Sequence, residues 1–278
     1  MTTKQNPKFP EGINTSQEQP LKEFFLLVTG VVLAIVVFVA CVTYFAQALS
    51  PYIPFAWEKS WVSSVVIQAD EAEEENQIMQ EAQIALQDLL HKLTPQNQID
   101  ISYNVQLLDD DTPNAFATLG GQIFVTTGLI KNIKSENGLA MVLAHEMAHI
   151  QHRHPIQSLS RGLIIQLVSA MIFSDSSAGT LLNQAGLIAL LRFNRDMERE
   201  ADTTALRTIG EIYGHTQAAD EFFTAMLNEH GNDLSVEFFN THPQTQSRID
   251  NIRNFNSTAG ELTPLATSLL NIKDHPSN

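Results

Sequence analysis

The chain has 278 residues, with 16 Lys+Arg against 31 Asp+Glu for a formal net charge of −15, and it is 44% hydrophobic and 17% charged. That balance excludes a disordered chain and one embedded wholly in a membrane. The acidity argues against a nucleic-acid partner, because nothing here would neutralise a phosphate backbone. A single cysteine excludes a disulfide framework and multi-cysteine zinc sites, so any metal must be held by His and carboxylates.

Residues Phe24 to Phe45 form a run of 22 residues without a charge. As a helix rising about 1.5 Å per residue it reaches roughly 33 Å, against about 30 Å of bilayer hydrocarbon. Tyr44, Tyr52, Trp57 and Trp61 follow where an interfacial aromatic belt would lie. Two processing readings compete with a retained anchor. Ala46-Gln47-Ala48 resembles a signal-peptidase site, and Phe38 to Cys41 resembles a lipoprotein box that would put the lipid on Cys41. Both call for a shorter apolar core behind a basic leader, whereas this leader is long and carries three Lys and three Glu. The favoured reading is a single-pass anchor in the lipid bilayer. Lys4, Lys8 and Lys22 precede it, and Lys59 is the sole basic residue between Ala46 and Glu75. Basic residues stay in the cytoplasm, so the N-terminus is expected inside and the rest exported, into the periplasm if the cell is Gram-negative.

Beyond the anchor, apolar residues at Ile78, Ala82, Ala85, Leu86, Leu89, Leu90 and Leu93 form a helical stripe within Glu71 to Leu93. Ile99, Ile101, Tyr103, Val105 and Leu107 alternate with polar residues, as in a half-buried strand. A polar turn over Asp109 to Asn114 leads to Ala115–Thr118 and Gln122–Thr127, which flank Gly120-Gly121 as a hairpin. Ser135 can cap the next helix. Helices are then expected over Ile156–Phe173, Leu181–Phe193, Asp196–Gly210, Thr216–Asn228 and after Pro243. Leu163–Phe173 and Leu181–Leu191, at about 17 Å each, are too short to cross a bilayer. The fold class is therefore α+β: one transmembrane helix followed by a mostly helical domain with a small antiparallel sheet. The domains are expected as a cytoplasmic tail over 1–23, the anchor over 24–45, a linker over 46–70, the main domain over 71–255 and a C-terminal tail over 256–278.

The chemistry is concentrated in His145-Glu146-Met147-Ala148-His149. On a helix, His at i and i+4 share one face and can bind one Zn²⁺, while the Glu between them reaches water held by the metal. Leu143, Ala144, Ala148 and Ile150 bury this helix, where unpartnered His and Glu would be costly. Zinc also needs a third protein ligand. Within Arg195 to Asp202, Glu198 and Asp202 stand i and i+4 on one face while Glu200 points elsewhere. Glu198 is the expected third ligand, and Asp202 can accept the free ring N–H of a ligating His.

These motifs resemble peptidase family M48, which includes CAAX prenyl endopeptidases, membrane heat-shock peptidases and quality-control peptidases. The resemblance is carried by NAFATLGGQIFVTTGLI, VLAHEMAHIQHRH, NRDMEREAD and THPQTQSRI, in that order. It implies a gluzincin-type zincin domain, one zinc per chain on His145, His149 and Glu198, and Glu146 as the catalytic acid/base. It also implies that Asn114, Ala115 and Phe116 lie on an edge strand that pairs with a polypeptide substrate. His242 and Arg248 read locally as a helix cap and a surface charge. The resemblance instead brings both to the active site, to stabilise an oxyanion, with His242 able to plug the open metal position in some relatives. Two departures stand out: Gly138 occupies a position where an acidic residue is common, and the extra membrane spans of the prenyl-processing members are missing. The expected function is a membrane-anchored zinc endopeptidase acting on unfolded or misassembled envelope proteins. The alternative is a protease-silent chaperone or assembly factor that holds substrates in the same cleft. The remaining histidines, His152 and His154 among them, are expected to be structural or solvated.

Overall fold

The computed structural model describes residues 19–49, 52–65, 77–94, 101–162, 192–230, 242, 246–255 and 260–274. The chain divides into two units, Met1–Val42 and Thr43–Asn278. Helix α1 (Pro20–Leu49) opens on a proline, whose missing N–H is no loss in a first turn. Its Pro20–Ala46 stretch has a mean hydropathy of 3.1 over its most apolar window and is exposed throughout that window. A helix apolar on every side satisfies its own backbone and suits lipid, and this one is long enough to cross a membrane.

The second unit begins to pack at α2 (Phe55–Val65), inside the stretch expected as a linker. Its Glu58 is buried, pairs with Arg153 at 2.8 Å and accepts the Gly120 N–H at 3.2 Å. The Arg153 guanidinium also lies over the Phe55 ring, 5.6 Å from its centre. The turn that receives α2 needs glycine. Gly121 has φ +84°, and a Cβ there would fall 2.1 Å from the Ser102 carbonyl oxygen.

Helix α3 (Gln77–Leu93) buries Ala82, Leu86, Leu89, Leu90 and Leu93, the stripe expected from its period. It covers a three-stranded sheet of order β1-β3-β2, built from β1 (Asn104–Leu108), β2 (Ala115–Ala117) and β3 (Gln122–Thr126). The hairpin of β2 and β3 is antiparallel as expected, with Ala115 opposite Val125. The sheet as a whole is mixed, because β1 runs parallel to β3 with Asn104 opposite Gln122. The chain leaving β1 crosses to the far position before turning back, so β3 slots between its neighbours. On the outer side of β1, α3 supplies amides in place of a strand. Gln83 donates to the Val105 carbonyl at 2.6 Å and accepts the Leu107 N–H at 2.7 Å, while Gln87 accepts the Val105 N–H at 3.1 Å.

After α4 (Thr127–Asn132), α5 (Glu136–Gln151) starts on Ser135, whose hydroxyl accepts the Gly138 N–H at 3.1 Å. Every α5 residue from Asn137 to Ile150 is buried. Gly138 leaves room for a carboxylate from elsewhere: a Cβ there would lie 3.0 Å from Glu221 Cδ. Glu221 accepts hydrogen bonds from the Lys134 and Ser135 N–H groups and, at 2.6 Å, from the Ser135 hydroxyl. The acidic group missing from position 138 thus comes from α7 (Glu221–His230).

Residues 154–162 are helical. Helix α6 (Arg195–Tyr213) is capped by Asn194, which accepts the N–H groups of Asp196 and Met197, and it stops at Gly214 with φ +75°. It lies along α5 in the most extensive helix pairing among the described residues. Phe222 and Phe223 of α7 fill the core behind α5, and α8 (Gln246–Asn254) adds Ile249 and Ile252. Residues 260–274, expected as part of a tail, bridge Pro264 to Ser135 and form α9 (Thr267–Asn271). Leu265, Leu269 and Ile272 carry them into the core. The apolar stretches Leu163–Phe173 and Leu181–Leu191 lie outside the described residues.

Candidate metal centre

Two helices meet over a buried group of ionisable side chains. One turn apart on α5, His145 and His149 bring their Nε2 atoms to 3.0 Å. In the first turn of α6, Glu198 sets Oε2 3.4 Å from His145 Nε2 and Oε1 3.5 Å from His149 Nε2. His242 joins from further along the chain, with Nδ1 3.1 Å from Glu198 Oε1. One ligand atom from each of these four residues lies within 4.8 Å of all the others. Nitrogen and oxygen ligands at about 2.0–2.1 Å around a tetrahedral zinc stand about 3.3 Å apart. Two imidazole nitrogens and a carboxylate aimed at one another at 3.0–3.5 Å match that spacing, and the side chains present fit such an ion.

Burial makes charge balance decisive here. Burial by itself would raise the Glu198 carboxyl, but the charges of His242 and Arg248 and hydrogen bonds from the histidines hold it well below the usual carboxylate range. Asp202 behaves alike, kept low against its burial by bonds from Arg248 and His145. Its Oδ1 lies 3.0 Å from His145 Nδ1, which places the carboxylate beside one of the two histidines of the motif. Burial would lower His145, yet Asp202 and Glu198 push it up to about 9. His149 is lowered, first by burial and then by the charge on His145.

Arg248, on α8, engages both carboxylates of α6. Its Nε and Nη2 donate to Asp202 at 2.8 Å each, and Nη1 reaches Glu198 Oε2 at 2.5 Å. Glu146 is completely buried on the same helix as the two histidines, and among the described residues neither of its oxygens accepts a well-formed hydrogen bond. Burial raises its pKa, with His242 and His145 pulling the other way. His242 Nε2 lies 3.6 Å from Glu146 Oε1, so this imidazole stands between the metal cluster and the candidate base.

The expected substrate strand lies beside Glu146. Thr126 N–H donates to the Asn114 carbonyl and Thr118 N–H to the Gln122 carbonyl. In an antiparallel pair these contacts alternate, so the peptide groups of Ala115 and Ala117 face away from β3. The Ala117 N–H is among the groups that lower Glu146. Asn114 is buried, and its Oδ1 accepts no hydrogen bond from the described residues. Phe116 stacks on Phe124, with ring centres 5.0 Å apart.

Two neighbours escaped the sequence reading. Phe193 stacks on the His149 ring at 3.9 Å between centres and an interplanar angle of 19°. His154 brings Nδ1 to 2.9 Å from His149 Nδ1 and Nε2 to 3.4 Å from Glu200 Oε2. Glu200 also meets His152 Nδ1 at 3.2 Å, so it stands behind the cluster, away from Glu198. The sequence held a signal for His154, a second His five residues after His149 where α5 ends, but nothing in the spacing says that the chain turns back there.

A sequence model of Peptidase family M48 matches residues 77–256, and the chain belongs to that family of metallopeptidases. The mitochondrial metalloendopeptidase OMA1 of Saccharomyces cerevisiae is 30% identical over 171 residues, covering 58% of this chain and 49% of the relative. OMA1 of Schizosaccharomyces pombe is 33% identical over 159 residues, 55% of this chain and 46% of the relative. The beta-barrel assembly-enhancing protease of Escherichia coli strain K12 is 27% identical over 186 residues, 61% of this chain and 37% of the relative. The matched regions thus cover half or less of each of these relatives.

The geometry predicts the carboxylate that a metal uses. Wild-type protein at saturating zinc should carry one ion per chain, Glu198→Ala should lose it, and Glu200→Ala should keep it. Elemental analysis after gel filtration reads this directly, and full occupancy in Glu198→Ala would exclude the site as drawn.

Proposed function

We propose that this protein is a membrane-anchored zinc endopeptidase that cleaves unfolded or misassembled envelope proteins. The observation that carries the reading is the pairing of a buried His145–His149–Glu198 cluster with a buried Glu146 whose carboxylate accepts no well-formed hydrogen bond from the described residues. A structural metal site would need no such base, and because a poorly satisfied buried carboxylate is costly, its presence here supports a chemical role.

His145, His149 and Glu198 would hold the zinc, which would supply Lewis acidity and lower the pKa of the attacking water towards neutral. Glu146 takes the proton from water as its oxygen adds to the scissile carbonyl, then delivers it to the amine as the C–N bond breaks. Asp202 holds the proton of His145 on Nδ1 and leaves Nε2 free for the metal. Arg248 fixes Asp202 and Glu198 together, which makes it a positioning residue. The outward peptide groups of Ala115 and Ala117 and the open Asn114 Oδ1 suit an extended substrate backbone, giving weak sequence preference. A role on envelope proteins draws support from the name of the assembly-enhancing relative and from the apolar helix α1. The favoured orientation is N-terminus in the cytoplasm with the metal centre exported, from the lysines ahead of α1.

A second reading, in which the cleft holds substrates with proteolysis restrained, is favoured by His242. Its Nδ1 shares Glu198 Oε1 with the cluster, where it can fill the open metal position. Restraint and hydrolysis are compatible if His242 withdraws when substrate enters.

Glu146→Gln should keep its zinc and its fold yet cleave casein roughly 10²–10⁴-fold more slowly, because an amide cannot carry the proton. Undiminished cleavage would sink the mechanism. His242→Ala should cleave roughly 10- to 100-fold faster, as expected if displacing the plug costs about 1.4–2.8 kcal/mol. A fall of about 10²–10³-fold would instead assign His242 to oxyanion stabilisation. Reporter fusions placed after Asp70 should be active only on the exported side of the membrane, and cytoplasmic activity would reverse the orientation.

A further inference from the structure

We propose that His154 and Glu200 form a relay that sets the tautomer of His149 and makes it a metal ligand; this rests on the zinc site proposed above. His149 binds through Nε2, the nitrogen that faces His145 Nε2 and Glu198. A neutral imidazole offers a lone pair on one nitrogen only, so its proton must sit on Nδ1. That Nδ1 lies 2.9 Å from Nδ1 of His154, a buried side chain. The contact is a hydrogen bond only if His154 accepts there, which places the His154 proton on Nε2. Nε2 in turn faces Glu200 Oε2 at 3.4 Å, an acceptor that a carboxylate always provides.

The three residues therefore admit one proton arrangement in which His149 can bind a metal. Glu200 accepts from His154 Nε2–H, and His154 Nδ1 accepts from His149 Nδ1–H. If the protons stood reversed, with His154 donating from Nδ1, His149 would carry its own on Nε2 and present N–H to the metal. Position Glu200 matters because it removes that choice.

The arrangement parallels the other ligand. His145 is oriented directly by Asp202, at 3.0 Å from its Nδ1. His149 has its carboxylate one imidazole further out. Both carboxylates belong to α6, two residues apart, and they project to different sides of the helix. The single helix that supplies Glu198 thus orients both metal-binding histidines. Phe193, stacked on His149, holds the ring plane that aims Nδ1 at His154.

The test measures zinc affinity of the full chain in detergent by competition with a chelator of known affinity, alongside thermal unfolding. Loss of an orienting partner of a ligating His weakens metal binding typically about 10–100-fold. His154→Leu fills the space without an acceptor and should show that loss. His154→Asn places an amide oxygen near the Nδ1 position and should recover most of it, which a purely space-filling role would not produce. Glu200→Ala, at a half-exposed position where folding is safe, should weaken zinc by about tenfold, the lower end of that range. Wild-type affinity in folded His154→Leu or in Glu200→Ala overturns the relay, as does an Asn variant no better than Leu. His149→Ala separates the two levels of the argument. If it binds zinc as tightly as the wild type, the site itself is wrong and the relay falls with it; if it loses zinc while His154→Leu does not, the relay alone is wrong.

Discussion

Burying several charges between two helices is the constraint on which this domain is built. An isolated carboxylate or imidazolium in an apolar interior is prohibitively costly, so every such group must meet a counter-charge, a hydrogen bond or a metal. Here the groups come from α5, α6, α8 and the His242 position, and they meet because α5 and α6 lie side by side. Arg248 binds two carboxylates at once, and Asp202 binds both Arg248 and His145. Removing any one partner would leave a buried charge behind.

That demand reaches outward into parts of the chain with no chemistry of their own. Helix α5 must be buried on all sides, so its start is tied by Ser135, Glu221 and Pro264 and its end by Arg153. Arg153 adopts φ +63°, an unusual conformation for a side chain of its size. The reversal there throws His154 back against His149, while the Arg153 side chain goes to Glu58 on α2. One turn of chain thus serves the candidate metal centre on one side and the helix that follows α1 on the other.

Much of this was legible in the sequence because it depends on short-range geometry. The i, i+4 rule gave His145 with His149, and Glu198 with Asp202, and period-3.6 patterns gave α3 and α6. The Ser135 cap and the β2–β3 hairpin also follow from local residue chemistry. What escaped depends on contacts between distant segments. A strand of alternating residues looks the same whether its neighbour runs parallel or antiparallel, so the place of β1 was hidden. Leu265, Leu269 and Ile272 are too few and too spaced for a periodic signal, yet they finish the core. Glu58 reads as one acidic residue among many until Arg153, 95 residues later, arrives to pair with it. Gly138 looked like a departure from a family pattern, and Glu221 supplies its reason.

The amide caps on β1 have a bearing on how the protein behaves in company. The strand addition proposed for substrates carries a risk, since an open sheet edge welcomes a second copy as readily as a substrate. A sheet with two such edges could stack end to end into fibres. Gln83 and Gln87 occupy the donors and acceptors of β1 with side-chain amides, which cannot extend the ladder. What is left is the β2 side, which packs against α5 and whose residues Ala115 to Ala117 are buried. On its β1 side the sheet is thereby a terminus for strand pairing and not a template for it.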